Sequence, residues 1–220
     1  MIDDNINHEY IIRYLQGLYH ETDPLLKNMQ EYAKAHSVPI ILPDSAAFLK
    51  TLCAMKMPNR ILEIGTAIGY SAMLMHSITN AEILTVERDR TVYEQAVGNI
   101  KAASLESKIR CVLNEAESVL PIIDGTFDFI FVDGAKAHYG EFFKSAKTLL
   151  NPGGFILFDN CLYKGMVATD ELMLHRKRTI VKRMRRFIEE VMASPDFVSS
   201  LVPIGDGMLL AQKKTNNQKD

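Results

Sequence analysis

From residue 60 onward, short apolar runs alternate with stretches of helical periodicity, and this alternation predicts an α/β fold built on a parallel sheet. Five apolar runs have the length of strands and lie at 60–64, 82–86, 109–113, 127–132 and 154–158. Helical patterns occupy the intervals at about 70–78, 90–103, 116–120 and 138–149. Two further strands are predicted near 197–202 and 207–213, separated by the hairpin-like turn Gly205-Asp206-Gly207.

The first part of the chain carries helical patterning without strands. Apolar positions recur near helical spacing within residues 6–35, and Asp23-Pro24 predicts a helix start because proline suits the first helical position. Two prolines restrict residues 38–43 to extended backbone. Asp44 or Ser45 is then expected to cap a helix that ends before Pro58.

A long helix is predicted over about 168–193, where Ser194-Pro195 ends it. Because no linker or internal repeat divides the 220 residues, a single domain is expected. Its predicted parts are a helical cap, a core and a disordered tail, at 1–57, 58–214 and 215–220.

The composition is that of a globular protein with a sizeable core, since 47% of the residues are hydrophobic and 24% are charged. The net charge of −2 gives no overall attraction to nucleic acid, and no apolar stretch approaches the roughly 18 residues of a membrane span. The three cysteines form no Cys-x-x-Cys pair, which indicates reduced thiols. Together with the absence of a signal-peptide pattern, this predicts a cytoplasmic protein.

Four of the predicted strands end in an acidic residue: Glu63, Glu87, Asp133 and Asp159. The carboxyl ends of parallel strands lie on one edge of a sheet, where ligands bind, so the four acids are expected to converge. The alternative for any single acid is a structural role in capping the helix that follows. A capping role explains the set of four strand-end acids less well than it explains any one of them.

Each acid suits a particular ligand. Glu87 ends the second strand, where an acid binds ribose hydroxyls in nucleotide-binding α/β folds. Asp133 and Asp159, with the adjacent Asn160, offer two carboxylates and an amide oxygen, a ligand set that suits Mg²⁺. A zinc site is not indicated, because the six histidines are scattered and no Cys/His spacing fits one.

The segment from Glu63 to Ser71 has the pattern of a strand end, a glycine-bearing turn and a helix start. Gly65 and Gly69 tolerate positive φ and let a ligand approach backbone N–H groups closely. The G-x-G-x-x-G fingerprint of dinucleotide-binding folds is absent here. The spacing E-x-G-x-x-x-G instead resembles the first motif of class I methyltransferases that use S-adenosylmethionine (SAM).

Two further segments make the resemblance specific: Asp133-Gly-Ala-Lys136-Ala-His-Tyr139 and Gly153-Gly-Phe-Ile-Leu-Phe-Asp159-Asn160. With the glycine turn, they resemble the metal-dependent O-methyltransferases related to catechol and caffeoyl-CoA O-methyltransferases. The resemblance implies a Rossmann-like class I methyltransferase fold. Such a fold has a seven-stranded, mostly parallel sheet with helices on both faces and an antiparallel last strand.

The resemblance also implies roles for individual residues. Asp133, Asp159 and Asn160 correspond to the ligands of the divalent cation, and Lys136 and Asp133 are the expected catalytic residues. Lys136 could accept the acceptor's proton or stabilise the oxyanion, and the alternative is a surface lysine paired with an acid. Asn114 departs from the glycine that relatives often carry. The expected SAM contacts are Val38, Glu63, Gly65, Thr66, Gly69, Ser71, Glu87, Glu115, Ala116 and Asp133.

A basic segment follows the acids at the strand ends. Residues 172–186 hold seven Lys/Arg and no acid, an excess that suits RNA phosphates or else forms a solvated helix face balanced by acids elsewhere. The sequence resembles the bacterial branch of the family that methylates 5-hydroxyuridine at the tRNA wobble position. This resemblance implies that a tRNA anticodon stem-loop is bound by Lys164, Arg176, Lys177, Arg178, Lys182, Arg183, Arg185 and Arg186.

Three functions are therefore open at the level of sequence. The first is formation of 5-methoxyuridine in tRNA, and the second is O-methylation of a small catechol or caffeoyl-CoA-type molecule. The third is a SAM-binding or RNA-binding protein without catalysis, against which the retained acids and Lys136 argue. Relatives are often dimers, so a homodimer is expected, with the N-terminal helices as its interface.

Overall fold

The computed structural model describes residues 6–215. Within that range the α-helices are α1 (Glu9–Leu18), α2 (Pro24–His36), α3 (Pro43–Lys56), α4 (Tyr70–Thr79), α5 (Arg90–Ala102), α6 (Ala116–Val119), α7 (Tyr139–Leu149) and α8 (Arg178–Met192). The strands are β1 (Arg60–Ile64), β2 (Glu82–Glu87), β3 (Ile109–Leu113), β4 (Phe127–Val132), β5 (Leu150–Phe158), β6 (Phe197–Val202) and β7 (Met208–Lys213). The sheet order is β3-β2-β1-β4-β5-β7-β6. The predicted seven-stranded, mostly parallel sheet with an antiparallel last strand is confirmed.

The chain forms two compact units. One comprises Leu15–Ile122 and carries β1 to β3. The other comprises Met1–Tyr14 and Ile123–Asp220 and carries β4 to β7. The division into a helical cap, a core and a disordered tail stays a prediction, and residues 216–220 of that tail lie outside the described residues.

Two helix starts in the first unit show how proline sets a boundary. Asp23 caps α2 as predicted, because its carboxylate accepts hydrogen bonds from the backbone of Leu25 at 2.8 Å and Leu26 at 3.2 Å. The cap predicted for α3 at Asp44 or Ser45 is wrong, since that helix begins at Pro43. Proline lacks an N–H and has a fixed φ, so it fits the first helical position. The start of α3 therefore lies closer to the N-terminus than predicted.

The parallel strands of the first unit bring their acidic ends to one edge. Ile64 of β1 pairs with Val86 of β2, and Glu87 pairs with Leu113 of β3. Ile61 and Leu62 are fully buried in β1. Burial of such side chains contributes about 1.5–3 kcal/mol each, and it fixes which residues of the strand can face the core.

An aromatic core holds the second unit together. Phe129 of β4 stacks on Phe155 of β5 with ring centroids 4.1 Å apart. Phe187 of α8 meets Phe158 edge-on at 4.7 Å, which seats the helix on the end of β5. The apolar side of α8 is buried at Val181, Met184, Phe187 and Val191.

The predicted helix over 168–193 is wrong at its start, because α8 begins only at Arg178 after a short 3₁₀ turn. The preceding segment folds back along the helix. The guanidinium of Arg185 donates to the carbonyls of Met166 and Val167 and pairs with Asp170 at 2.7 Å. With 15 residues α8 is the longest helix between residues 6 and 215, and no helix in that range is long and apolar enough to cross a membrane.

Candidate active site

The turn between β1 and α4 depends on three residues with positive φ: Gly65 at 97°, Ala67 at 47° and Gly69 at 85°. A Cβ on Gly69 would meet Ala96 only at ordinary contact distance, 3.6 Å, so backbone conformation rather than space requires glycine there. The Gly65 N–H donates to the carbonyl of Val86 at 3.0 Å, which ties the turn to β2. We call this turn, with Glu63, Ser71, Thr85 and Glu87 around it, the glycine-turn cluster.

Glu63 lies inside the glycine-turn cluster and is fully buried. Its carboxylate accepts hydrogen bonds from the hydroxyls of Ser71 at 2.5 Å and Thr85 at 2.6 Å. These bonds join the end of β1 to the first turn of α4 and to β2. These contacts give the Glu63 carboxylate a role in orienting the backbone of the turn.

A series of side-chain hydrogen bonds from Cys111, Thr66 and Thr85 ends on Glu63. Thr85 donates to Glu63, so the 2.6 Å contact between the Thr66 and Thr85 hydroxyls has Thr66 as the donor. The thiol of Cys111 in turn lies 3.7 Å from the Thr66 hydroxyl. Every donor in this series has an acceptor, which fixes the orientation of the Thr66 side chain beside the turn.

Glu87 is the acid that the structure places against the turn itself. One of its oxygens accepts from the Ala67 N–H at 3.0 Å, and the other accepts from the backbone of Arg88 and Asp89 at 2.9 Å each. A carboxylate offers about four acceptor sites, so capacity for a ligand hydroxyl remains. The three backbone hydrogen bonds fix the position of this carboxylate.

The other predicted cofactor contacts in this unit lie at two places. Glu115 precedes the short helix α6, which begins at the buried Ala116. The Asn114 N–H donates to the carbonyl of Glu87 at 2.8 Å, so this region is held beside the end of β2. Val38 follows the left-handed end of α2, where its N–H donates to the Ala33 carbonyl at 2.9 Å.

The second unit brings together the residues predicted to hold a metal. Val132 pairs with Phe158 in the parallel β4–β5 ladder, so Asp133 and Asp159 emerge side by side. Asn160 bridges them, since its amide nitrogen donates to Asp133 at 3.0 Å and its backbone N–H donates to Asp159 at 2.6 Å. We call Asp133, Lys136, Asp159 and Asn160 the acid cluster.

The electrostatics of the acid cluster favour bound protons or a bound cation. Burial raises the pKa of Asp133, and the positive charge of Lys136 acts in the opposite direction. Burial, and next the negative charge of Asp133, raise the pKa of Asp159 to about 8. Two carboxylates that share a poorly hydrated site repel each other, so neutralising them is favourable.

The donor set of the acid cluster fits a hard divalent cation. Carboxylate and amide oxygens are the ligands that Mg²⁺ prefers, and Mg²⁺ keeps further positions for water or substrate. Among residues 6–215 no three His, Cys, Asp or Glu side chains gather into a metal-binding group. A cation here would therefore be held by Asp133, Asp159 and the Asn160 amide oxygen rather than by a fully protein-made cage.

The basic segment lies largely on the surface of the second unit. Its exposed members are Arg176, Arg178, Lys182, Arg183 and Arg186, and Lys164 outside the segment is exposed as well. Arg185 is instead held by protein carbonyls and Asp170, and Lys177 lies 5.8 Å from the centre of the Tyr163 ring. Cations are concentrated at the start of α8, and acids lie in its last turn. This is the reverse of the arrangement that the helix dipole stabilises. Helix stability therefore does not explain this charge pattern.

A family model described as O-methyltransferase matches residues 18–214. The chain belongs to the O-methyltransferase family. The expectation from the glycine turn and the two later motifs is thus confirmed at the level of the family. The match extends from the end of α1 to the end of β7, so it includes both the glycine-turn cluster and the acid cluster.

Individual relatives agree with this assignment. The O-methyltransferase is 29% identical over 230 residues to caffeoyl-CoA O-methyltransferase 2 of Populus trichocarpa, covering 97% of this chain and 90% of the relative. It is 33% identical over 167 residues to catechol O-methyltransferase of Niastella koreensis, covering 72% of this chain and 76% of that relative. A Bacillus cereus O-methyltransferase, solved in complex with S-adenosylhomocysteine (SAH), has a TM-score of 0.80 at 26% identity, covering 93% of this chain and 97% of that one.

Three residues of this O-methyltransferase have site contacts that the sequence did not predict. Thr85 donates to Glu63. The sequence feature that could have identified Thr85 is a hydroxyl residue within the otherwise apolar run of β2. The buried Tyr139 donates to the Asp159 carbonyl at 2.8 Å. Asp206 accepts from the backbone of Lys164 at 2.5 Å. No local pattern identifies Tyr139 or Asp206, because their partners lie far away in the sequence.

Proposed function

We propose that this O-methyltransferase transfers the methyl group of SAM to one hydroxyl of a small catechol-type acceptor, with the help of a divalent cation such as Mg²⁺. The observation that carries the proposal is the pair of carboxyls of the half-buried Asp133 and the buried Asp159, bridged by Asn160. The named activities of the Populus and Niastella relatives support the acceptor class.

The proposed role of the glycine-turn cluster is to bind SAM. Glu87 is prepositioned to accept the ribose hydroxyls, as acids at the end of the second strand do in nucleotide-binding folds. Gly65, Thr66 and Gly69 form the turn that backbone-binding ligands require. The Bacillus cereus relative with bound SAH supports the choice of ligand.

The proposed role of the acid cluster is to hold the acceptor and its proton. A cation bound to Asp133, Asp159 and Asn160 supplies Lewis-acid polarisation and orientation of the acceptor hydroxyl. The positive charge of Lys136 acts on both carboxyls, and we assign the task of taking the hydroxyl proton to Lys136 in its deprotonated, neutral amine form. Transfer of the methyl group then depends on alignment of the oxygen with the methyl carbon.

A direct assay tests this proposal. Purified protein is incubated with SAM, Mg²⁺ and a panel of catechol and caffeoyl-CoA-type acceptors, and methylated products are measured by mass spectrometry. Formation of a mono-methyl ether that is abolished by EDTA and by Asp159→Ala is expected. Equal turnover with EDTA would contradict the metal role, and a panel without any product would contradict the acceptor class.

A second candidate acceptor is 5-hydroxyuridine in the anticodon loop of tRNA. Its support is the set of exposed cations on and before α8, in an arrangement that helix stability does not explain. This base also offers a hydroxyl beside a carbonyl. Arg176→Ala, Arg178→Ala and Arg183→Ala combined would abolish methoxyuridine formation but leave catechol turnover unchanged, with tRNA nucleosides analysed by mass spectrometry.

We also propose a second copy of the chain as a partner. Tyr10, Tyr14 and Leu18 follow at four-residue spacing on α1 and are exposed by 69%, 67% and 59%. None of the residues of α1 is buried within one chain. Sedimentation of the wild type and of Tyr14→Glu would test this stripe, and a dimer that persists unchanged in the variant would contradict it.

A further inference from the structure

The loop that follows β5 has an unusual backbone. Asn160, Tyr163 and Lys164 have φ values of 60°, 50° and 57°, and Gly165 follows at 76°. Side chains other than glycine rarely adopt this left-handed region, and they keep it only where surrounding contacts hold them. The loop contains Asn160, so its conformation decides where that amide group lies.

The turn between β6 and β7 supplies such contacts. The Cys161 N–H donates to the Gly207 carbonyl at 2.7 Å, and the Leu162 N–H donates to the Asp206 carbonyl at 2.9 Å. The Lys164 N–H donates to the Asp206 carboxylate at 2.5 Å. Three backbone donors of the loop, at Cys161, Leu162 and Lys164, are therefore held by two residues of the turn.

The Leu162 side chain packs so closely against the turn that one position of the turn requires glycine. Gly207 has a φ of 83°, and a Cβ there would lie 2.4 Å from Cγ of Leu162. A real side chain at this position would force the loop away. Because the loop and turn are separated by about forty residues of sequence, this packing is a tertiary device rather than a local turn preference.

We propose that the turn Gly205-Asp206-Gly207, the β6–β7 clamp, positions the metal ligands Asp159 and Asn160, with Asp206 as its positioning residue. The inference rests on the proposed cation site. Asn160 donates to Asp133 at 3.0 Å from a left-handed backbone conformation, and the clamp holds the residues that follow it. Residues that orient metal ligands commonly change metal affinity about 10- to 100-fold when they are replaced.

Two conservative variants separate position from charge. Asp206→Asn keeps an acceptor for the Lys164 N–H and loses the charge, whereas Asp206→Glu keeps the charge and moves the acceptor by one methylene. Mn²⁺ serves as the probe, and its Kd is measured from the electron paramagnetic resonance signal of the free ion. We expect about 10- to 100-fold weaker binding in Asp206→Glu and near wild-type binding in Asp206→Asn.

Asp124→Asn and Asp124→Glu are the matched controls, since Asp124 is exposed in the same unit. Thermal melting of each variant confirms that binding is measured on folded protein. Equal affinity in Asp206→Glu and wild type would overturn the clamp, as would weak binding in Asp206→Asn with normal binding in Asp206→Glu. A wild-type protein that binds no Mn²⁺ would refute the cation site itself, which is a distinguishable result.

Discussion

The hydroxyl of Ser71 donates a 2.5 Å hydrogen bond to Oε1 of Glu63, at the buried end of β1. The bond joins the first turn of α4 to the strand that precedes the glycine turn. Thr85 satisfies the other oxygen of Glu63, so one carboxylate connects three elements. The shape of the turn is thereby fixed by a side chain that need not touch the cofactor.

Glu63→Ala is expected to lower the free energy of unfolding and to weaken SAH binding together. The substitution leaves the buried hydroxyl of Thr85 and the half-buried hydroxyl of Ser71 without their acceptor, and a buried donor without a partner costs about 1–3 kcal/mol. Urea unfolding and calorimetric titration with SAH measure the two effects. Glu82→Ala, at an exposed position of β2, is the control. Unchanged stability in Glu63→Ala would contradict the role of this carboxylate.

Glu87→Ala is expected to weaken SAM and SAH binding by about 10- to 100-fold, because hydrogen bonds to charged groups contribute about 1.5–3 kcal/mol. Stability should fall as well, since the carboxylate accepts three backbone hydrogen bonds, so thermal melting must show that the variant is folded at the titration temperature. Glu94→Ala, on the exposed side of α5, provides the comparison in the same titration. A Glu87→Ala protein with wild-type affinity would remove Glu87 from the cofactor site.

The stability of the metal-free protein should fall as the pH rises from about 5 to about 8. The pKa of Asp159 is raised to about 8 in the folded protein, whereas an aspartate in an unfolded chain titrates near ~3.9. Between these values the folded state holds a proton that the unfolded state has lost, so rising pH favours unfolding. The stabilisation from this proton is complete below the pKa of the unfolded chain. It is lost as the pH rises through the pKa of Asp159 in the folded protein.

Urea unfolding at several pH values in EDTA measures this slope, and Asp159→Asn serves as its control because it cannot titrate. Added Mg²⁺ should stabilise the wild type most at high pH, where it no longer competes with the proton. Identical pH dependence in the wild type and Asp159→Asn would contradict the assignment. So would stabilisation by Mg²⁺ that is independent of pH.

Lys136→Met is expected to lower kcat about 100-fold or more while the Kd for SAH stays unchanged, since general-base groups contribute about 10²–10⁴. Lys136→Arg distinguishes proton transfer from charge, because a guanidinium keeps the charge but does not accept a proton. Lys144→Met is the control on the exposed side of α7. Full activity in Lys136→Arg would leave Lys136 with an electrostatic role only.

The parts of the fold that follow from local periodicity could be predicted from the sequence. The strands at 109–113 and 127–132 have their predicted limits, because short apolar runs between polar stretches mark a buried strand. The acids at the strand ends were equally visible, and Asp133 and Asp159 do lie side by side. These features need only residue type and spacing.

What could not be predicted depends on contacts between distant residues. The start of α8 was misplaced because Arg185 binds the carbonyls of the preceding segment, a tertiary contact that overrides helical patterning. The location of Glu63 inside the fold follows from Thr85, twenty-two residues away. The hydrogen bond from the Lys164 N–H to the Asp206 carboxylate joins residues that lie still farther apart in the sequence. None of these partners can be inferred from a local pattern.

The burial of the cysteines has a consequence for chemical labelling. Cys53, Cys111 and Cys161 are free thiols, and burial raises the pKa of Cys53 to about 12 and that of Cys111 to about 11. The pKa of the fully buried Cys161 is raised as well. Since the thiolate is the reactive form, we expect all three to react slowly at neutral pH while the chain is folded, with the half-buried Cys111 the most accessible. A maleimide dye would thus count opening events, with Cys53 and Cys111 reporting on one unit and Cys161 on the other.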